Sequence, residues 1–369
     1  MPERARFESV VTAAFAVAAA CLIAGILLAI GDFDPARAAR ALLGGAFGSR
    51  EAFLSITLVR SVPLILTGLA VALAFRAGVW NIGAEGQLYA GAITAVWVGL
   101  TFGDLPAVVL VPCVLLGAGL AGAAWAAVPA FMKLRLGVGE VITTILMNFV
   151  GIHLAAWTVH GPLQEARGVF PQTEQIGEAA RLPLLIPGTR LHLGFPIALV
   201  IAVALAVLFR WARLGFQIRA VGASPEAARV AGMIDTRRVV LISFLGSGAI
   251  AGLAGGVEVA GVTFSLYEGL SPGWGYTAIA VALLAALDPL AAVATGLFFG
   301  ALAAGSGAMQ RVAGIPAVWV GVVEALVILA VLAVDRVRIG RVRLFRARGV
   351  AGDRQGPPPA PPTGGAPDV

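Results

Sequence analysis

GVWNIGAEGQLYAG, residues Gly78–Gly91, sets Asn81, Glu85 and Gln87 among glycines, directly after one apolar run and within the start of another. Non-helical backbone at membrane depth persists only where protein or a water-filled cavity satisfies its N–H and C=O groups. Gly78, Gly83 and Gly86 allow a broken or tightly packed helix here. Asn81, Glu85 and Gln87 either satisfy such a break or line the path of a polar solute, and the choice turns on what surrounds them.

The surroundings are apolar. Of 369 residues, 59% are hydrophobic and only 12% charged, about half the charge of a soluble chain, and the mean hydropathy is +0.93. These values specify an integral membrane protein of all-α class. The net charge of +6 does not signal nucleic acid, because the arginines fall in short loops between apolar segments, where they set topology. Cys21 and Cys113 both lie within apolar stretches, which excludes a disulfide framework.

Apolar runs lie at Val10–Ile30, Phe53–Phe75, Ile82–Leu100, Ala107–Phe131, Val141–Val159, Phe195–Phe209, Val239–Gly261, Tyr276–Leu287, Leu290–Ala308 and Ala317–Val334. They predict a polytopic protein of about ten transmembrane or re-entrant helices. The basic, then apolar N-terminus reads as a first helix rather than a cleaved leader, since its run is long enough to span. Tyr276–Leu287 is too short to cross, and the LDP sequence at Leu287 separates it from the next run, so 276–308 reads as two short or re-entrant segments. With both termini cytoplasmic, eighteen of the 26 basic residues face inward, in keeping with the positive-inside rule. The resulting organisation is a cytoplasmic N-terminus at 1–9, a permease-like membrane domain at 10–335 with an external loop at 160–194 and a basic cytoplasmic loop at 210–238, and a basic, then Pro-rich tail at 336–369 that has the composition of disorder.

Catalytic chemistry is not indicated. Lys133 is the only lysine, so no phosphate-binding loop ending in Lys and Ser or Thr exists. His153, His160 and His192 have no partners at metal-ligand spacing. Glu140, Thr144 and Asn148 recur every four residues in EVITTILMN and form one polar stripe on a helix, which must face a cavity or another helix. Glu258 and Glu324 are acids within apolar runs; intramembrane carboxylates often serve function, which keeps a proton-coupled secondary transporter of a small polar solute as the alternative mechanism. In SLYEGLSPGWGYTA, Tyr267, Trp274 and Tyr276 suit either stacking on a base or sugar or an ordinary interfacial belt. In GASPEAARVAGM, Ser224 suits a helix N-cap, Pro225 the first helical position and Glu226 the positive end, followed by Ala227 and Ala228, with Gly232 able to end the helix. So small a helix, stranded between spans, has little core of its own and reads as a docking element.

Three stretches, Gly68–Ala92, Leu136–Gly151 and Gly222–Met233, in this order and spacing, resemble the membrane permease subunit of bacterial ABC importers for nucleosides and simple sugars, of the branched-chain-amino-acid type; NIGAEGQ and EVITTILMN look closest to nucleoside permeases. The resemblance runs from about Phe53 to Asp335. It implies a plasma (inner) membrane location, no cofactor on this chain, ATP and Mg on a separate ABC ATPase subunit, an extracytoplasmic substrate-binding protein or lipoprotein, and a second permease subunit, identical or related. It places the substrate path or gate at Asn81, Glu85, Gln87, Glu140, Thr144 and Asn148, and ATPase coupling at Gly222, Ser224, Glu226, Ala227, Ala228 and Gly232.

Overall fold

The computed structural model describes residues 22–230 and 234–316, with scattered positions beside them. The described residues are helical apart from loops and two isolated β-bridges. The outer parts of the runs Val10–Ile30 and Ala317–Val334 lie outside the described residues, as do the expected tail and most of the N-terminal segment.

Helix α1 (Pro35–Phe47) starts where Asp34 accepts the N–H groups of Ala36 and Arg37 and Pro35 takes the first helical position. Helix α2 (Ala52–Arg76) opens with a π-helical stretch, Ala52–Thr57, and is almost wholly enclosed. After the break at 77–83 comes α3 (Ala84–Thr101), followed by α4 (Ala107–Leu136), which ends at Gly137 in the left-handed region, and α5 (Glu140–His160). A long loop leads to α6 (Gly194–Trp211), then to two short helices, α7 (Arg213–Ala223) and α8 (Pro225–Val230). Helix α9 (Thr236–Thr263) closes with a second π-helical stretch, Val259–Thr263. Helix α10 (Trp274–Leu284) and helix α11 (Pro289–Ala313) complete the described fold.

Among the described residues six helices, α2, α4, α5, α6, α9 and α11, are long and apolar enough to cross a membrane. Helix α3 has spanning length, but Glu85 and Gln87 sit in its first turn, and it lies in the interior against α4, α5 and α9. The expectation of two short segments over 276–308 holds for α10 only. Helix α11 has 25 residues and full spanning length, because Gly305 and Ser306 do not end it and it continues to Ala313. The LDP turn does separate the two: Ala286 and Leu287 adopt φ of 50° and 60°, and the Asp288 side chain caps α11.

The core is built on small residues. Along α9, Gly248, Gly252 and Gly256 recur every fourth position, and along α4 so do Ala118, Gly122 and Ala126, so the two backbones approach closely without side chains between them. A methyl group on Gly252 would lie 2.3 Å from the Ala118 carbonyl oxygen, and one on Gly91 of α3 would lie 2.0 Å from that of Gly252. Lipid offers no hydrophobic drive for helices to associate, so van der Waals contact at such crossings carries much of the packing. In contrast, α4, α5 and α6 each turn apolar side chains outward, among them Val108, Leu120, Ile142, Trp157 and Val200.

Candidate functional site

The break between α2 and α3 is the centre of the polar interior. Gly78 takes φ +74° and lets the chain turn away from the end of α2. Asn81 then folds its side chain onto Gln87: the Asn81 Nδ2 donates to Gln87 Oε1 at 3.2 Å and Gln87 Nε2 donates to Asn81 Oδ1 at 3.1 Å, while the same Nδ2 donates to Ser247 Oγ of α9 at 2.9 Å. Asn81 Oδ1 also accepts the Gly83 N–H at 3.0 Å. The polar stripe of α5 faces this break rather than a cavity. Asn148 Oδ1 accepts the Gly86 N–H and its Nδ2 donates to the Ile82 carbonyl, both at 2.8 Å, and Thr144 Oγ1 accepts the Ile82 N–H at 3.3 Å. Glu140, at the end of the stripe, pairs with Lys133 at 2.6 Å and stands 3.5 Å from the Trp80 N–H.

Asn81, Glu85, Gln87, Thr144 and Asn148 are all buried. Their polar atoms are spent on holding the break, so the constellation forms a sealed plug in this state.

A second break meets the first. The chain leaves α9 at Phe264, which adopts φ 58°, and runs inward as an irregular segment to the start of α10. There the Gly275 N–H donates to Glu85 Oε2 at 2.6 Å, and Tyr89 Oη accepts the Ser271 N–H at 3.1 Å. A methyl group on Gly275 would stand 2.2 Å from the Glu85 nitrogen, so the two helix starts touch backbone to backbone. Asn148 lies eight residues into α5, about 12 Å along its axis, and α10, of eleven residues, is about 16 Å long, half of a hydrocarbon core of about 30 Å. The two breaks therefore join near mid-depth, the level at which discontinuous helices form solute sites in transporters.

The expected coupling segment has its cap: Ser224 Oγ accepts the Ala227 N–H at 3.3 Å, and Pro225 begins α8. Ala228, expected to present a contact face, is turned inward against its own chain, whereas Glu226, Ala227 and Val230 are exposed. Gly232 lies outside the described residues. Gly222 brings α7 onto the first break: a methyl group there would lie 2.1 Å from the Arg76 carbonyl oxygen. Arg76 in turn donates to the Leu287 carbonyl at 2.8 Å and lies over the Phe209 ring.

At the opposite end of the bundle the long loop zips onto the end of α9, with the N–H groups of Thr173, Ile176 and Leu182 each donating at 2.8 Å to Leu266, Phe264 and Ala260. His192 is enclosed there. Its Nδ1 accepts the Gly194 N–H at 3.1 Å, which puts the ring proton on Nε2, and that atom has no hydrogen-bond partner among the described residues. Burial, with the nearby Arg190 adding to it, pushes the imidazole down to about 4. Glu258, buried at the end of α9, has Arg60 and Arg190 within electrostatic reach, partners from other elements that its own span does not supply. Glu324 lies outside the described residues, and no metal-binding group of three or more His, Cys, Asp or Glu occurs among the described ones.

Ser247, Ser271, Tyr89 and Gly275 were not singled out by the sequence as partners of the break; each is brought in by tertiary register alone.

No solved structure matches the chain. Among characterised sequences, a glucose ABC transporter permease protein of Haloferax volcanii is 39% identical over 96% of this chain and 94% of its own length. The guanosine ABC transporter permease protein NupP of Bacillus subtilis is 38% identical over 83% and 88%, and a second guanosine permease protein of that organism, NupQ, is 30% identical over 66% and 78%. Residues 53–332 match the family described as branched-chain amino acid transport system / permease component, and with a match over most of its length the chain belongs to that family of multi-pass membrane permeases.

Proposed function

We propose that this chain is the transmembrane permease subunit of an ATP-driven importer for nucleosides or related small sugar-containing solutes. It is a transport component and not an enzyme. The observation that carries the path assignment is the meeting of two interrupted helices at Glu85 and Gly275 near mid-depth. Asn81, Glu85, Gln87, Thr144 and Asn148 then act as the gate that a solute must part, and Glu140 anchors its lower rim through Lys133.

In this reading about ten segments enter the membrane, both termini are cytoplasmic, and the loop at 161–193 faces outward toward an extracytoplasmic binding protein. Resemblance to both NupP and NupQ supports pairing with a second, related permease chain. ATP and Mg reside on a separate ATPase subunit. That subunit meets the exposed face of α8, at Glu226, Ala227 and Val230, with Ser224 and Gly222 setting the helix and Ala228 seating it. The backbone contact of Gly222 with Arg76 supports a direct link from this loop to the gate.

The test is Val230→Asp in the reconstituted importer. An unpaired charge buried at an interface costs several kcal/mol, enough to weaken docking by orders of magnitude. The variant is expected to insert normally while losing ATPase capture and uptake together; a variant that captures the ATPase and imports as the parent does removes α8 from the coupling. The buried Glu258, with two arginines in reach, favours one other reading, a proton-coupled carrier. Uptake driven by a proton gradient without ATP would establish it.

A further inference from the structure

The chain contains only three tyrosines, Tyr89, Tyr267 and Tyr276. The fold gathers them. The Tyr89 hydroxyl lies within electrostatic reach of Glu85, Tyr267 and Tyr276, and the Tyr276 hydroxyl stands beside the Asn148 side chain. They differ in what they show to the surroundings: Tyr89 is buried at 2% exposure and bonded to the Ser271 main chain, whereas Tyr267 and Tyr276 are 37% and 38% exposed. Two aromatic rings thus stay partly bare directly over the sealed gate of Glu85 and Asn148. An interfacial belt would spread such rings around the perimeter; here residues from α3, the second break and α10 converge instead.

We infer that Tyr267 and Tyr276 form a stacking station for the planar base of an uncharged nucleoside, occupied before the gate beneath them opens. This inference rests on the importer reading and narrows its substrate. A flat heteroaromatic ring offers a π-face whatever its substituents, and tyrosine adds a hydroxyl at its edge for the base or ribose. Charge restricts the occupant further. The N-terminal end of α10 points at this place, and such an end favours anions, but its Gly275 N–H is already taken by the Glu85 carboxylate at 2.6 Å. The anion position is filled from within, and the same carboxylate disfavours a phosphate. A nucleoside fits; a nucleotide does not.

The importer, reconstituted in lipid vesicles with its ATPase and binding protein, is assayed for ATP-dependent uptake of guanosine, cytidine, guanosine monophosphate and glucose. The parent is expected to import the nucleosides and refuse the monophosphate. Tyr267→Ala with Tyr276→Ala should lower nucleoside uptake on the order of tenfold or more through lost stacking, while Tyr267→Phe with Tyr276→Phe, which keeps both rings, retains most of it. Photolabelling with azido-guanosine in the assembled parent should place adducts on the peptides carrying Tyr267 and Tyr276, a readout independent of turnover. Equal uptake by the alanine pair, adducts confined to other segments, or a parent that imports only glucose overturns the station and leaves the importer reading standing. A parent that imports nothing with ATP overturns both.

Discussion

The two interrupted segments at mid-depth solve the same physical problem with different strength. At the first, residues 77–83, side chains of four segments pair the exposed backbone: Asn81 and Gln87 with one another and with Ser247, and Thr144 and Asn148 with Ile82 and Gly86. At the second, residues 264–273, the end that enters the core is tied to α3 by Tyr89 through Ser271 and by Glu85 through Gly275. A buried group left unpaired costs more than a made bond gains, so the first break is a fixed point and the second is the side free to move. The difference teaches where opening starts: the sparsely tied segment leaves first, and the amide cluster stays.

The contrast breaks most severely at the contact the two share. Gly275→Val places side-chain atoms where 2.2 Å separates a methyl from the Glu85 nitrogen, and should cost about 4 kcal/mol or more, losing the monodisperse protein on size-exclusion chromatography in detergent. Next comes Asn148→Leu, which strips partners from the Gly86 N–H and the Ile82 carbonyl; about 2–5 kcal/mol should disappear, read as a lower thermal midpoint, with uptake falling in step. Tyr89→Phe removes one bond, to Ser271, at about 1 kcal/mol. Its sign lies in where it acts: hydrogen exchange should quicken at 265–273 and stay unchanged at 77–87, and equal quickening at both would abolish the distinction between fixed and mobile breaks. The smallest effect is expected at the rim. Glu140→Gln gives up a partly exposed pair with Lys133, under about 1 kcal/mol, visible only as a lowered salt dependence of the thermal midpoint.

Much of this was legible in the residues. The glycine-flanked motif is a break, its polar side chains do sit in the interior, and the caps at Ser224 and Asp288 lie where their chemistry places them, because each depends on neighbours within a few positions. Three things were not. The α5 stripe gave two choices, cavity or helix, and only packing decides between them. The partners of Asn81 and Glu85 lie 166 and 190 residues away, a matter of register between helices that no local period records. The inward turn of Ala228 was hidden for a related reason: a helix of six residues is too short for its pattern of small side chains to distinguish the face against its own chain from the face against another.

His192 carries one more consequence, in proton linkage. Enclosed between Gly194 and Gly261, with its ring accepting a main-chain N–H, it is folded only as the neutral imidazole, and burial together with Arg190 pushes it down to about 4. The unfolded chain takes up that proton near 6.5, so below this pH the unfolded state binds more protons and stability falls as pH falls. The loss begins below about 6.5, runs at about 1.4 kcal/mol per pH unit, and levels off near 4 once the folded ring also protonates. Thermal midpoints recorded between pH 7 and pH 4 should decline along that course in the parent, and His192→Phe should flatten it. The loop that closes the outer end of α9 is thereby the acid-labile edge of the bundle, set by a single ring that has no place to keep a second proton.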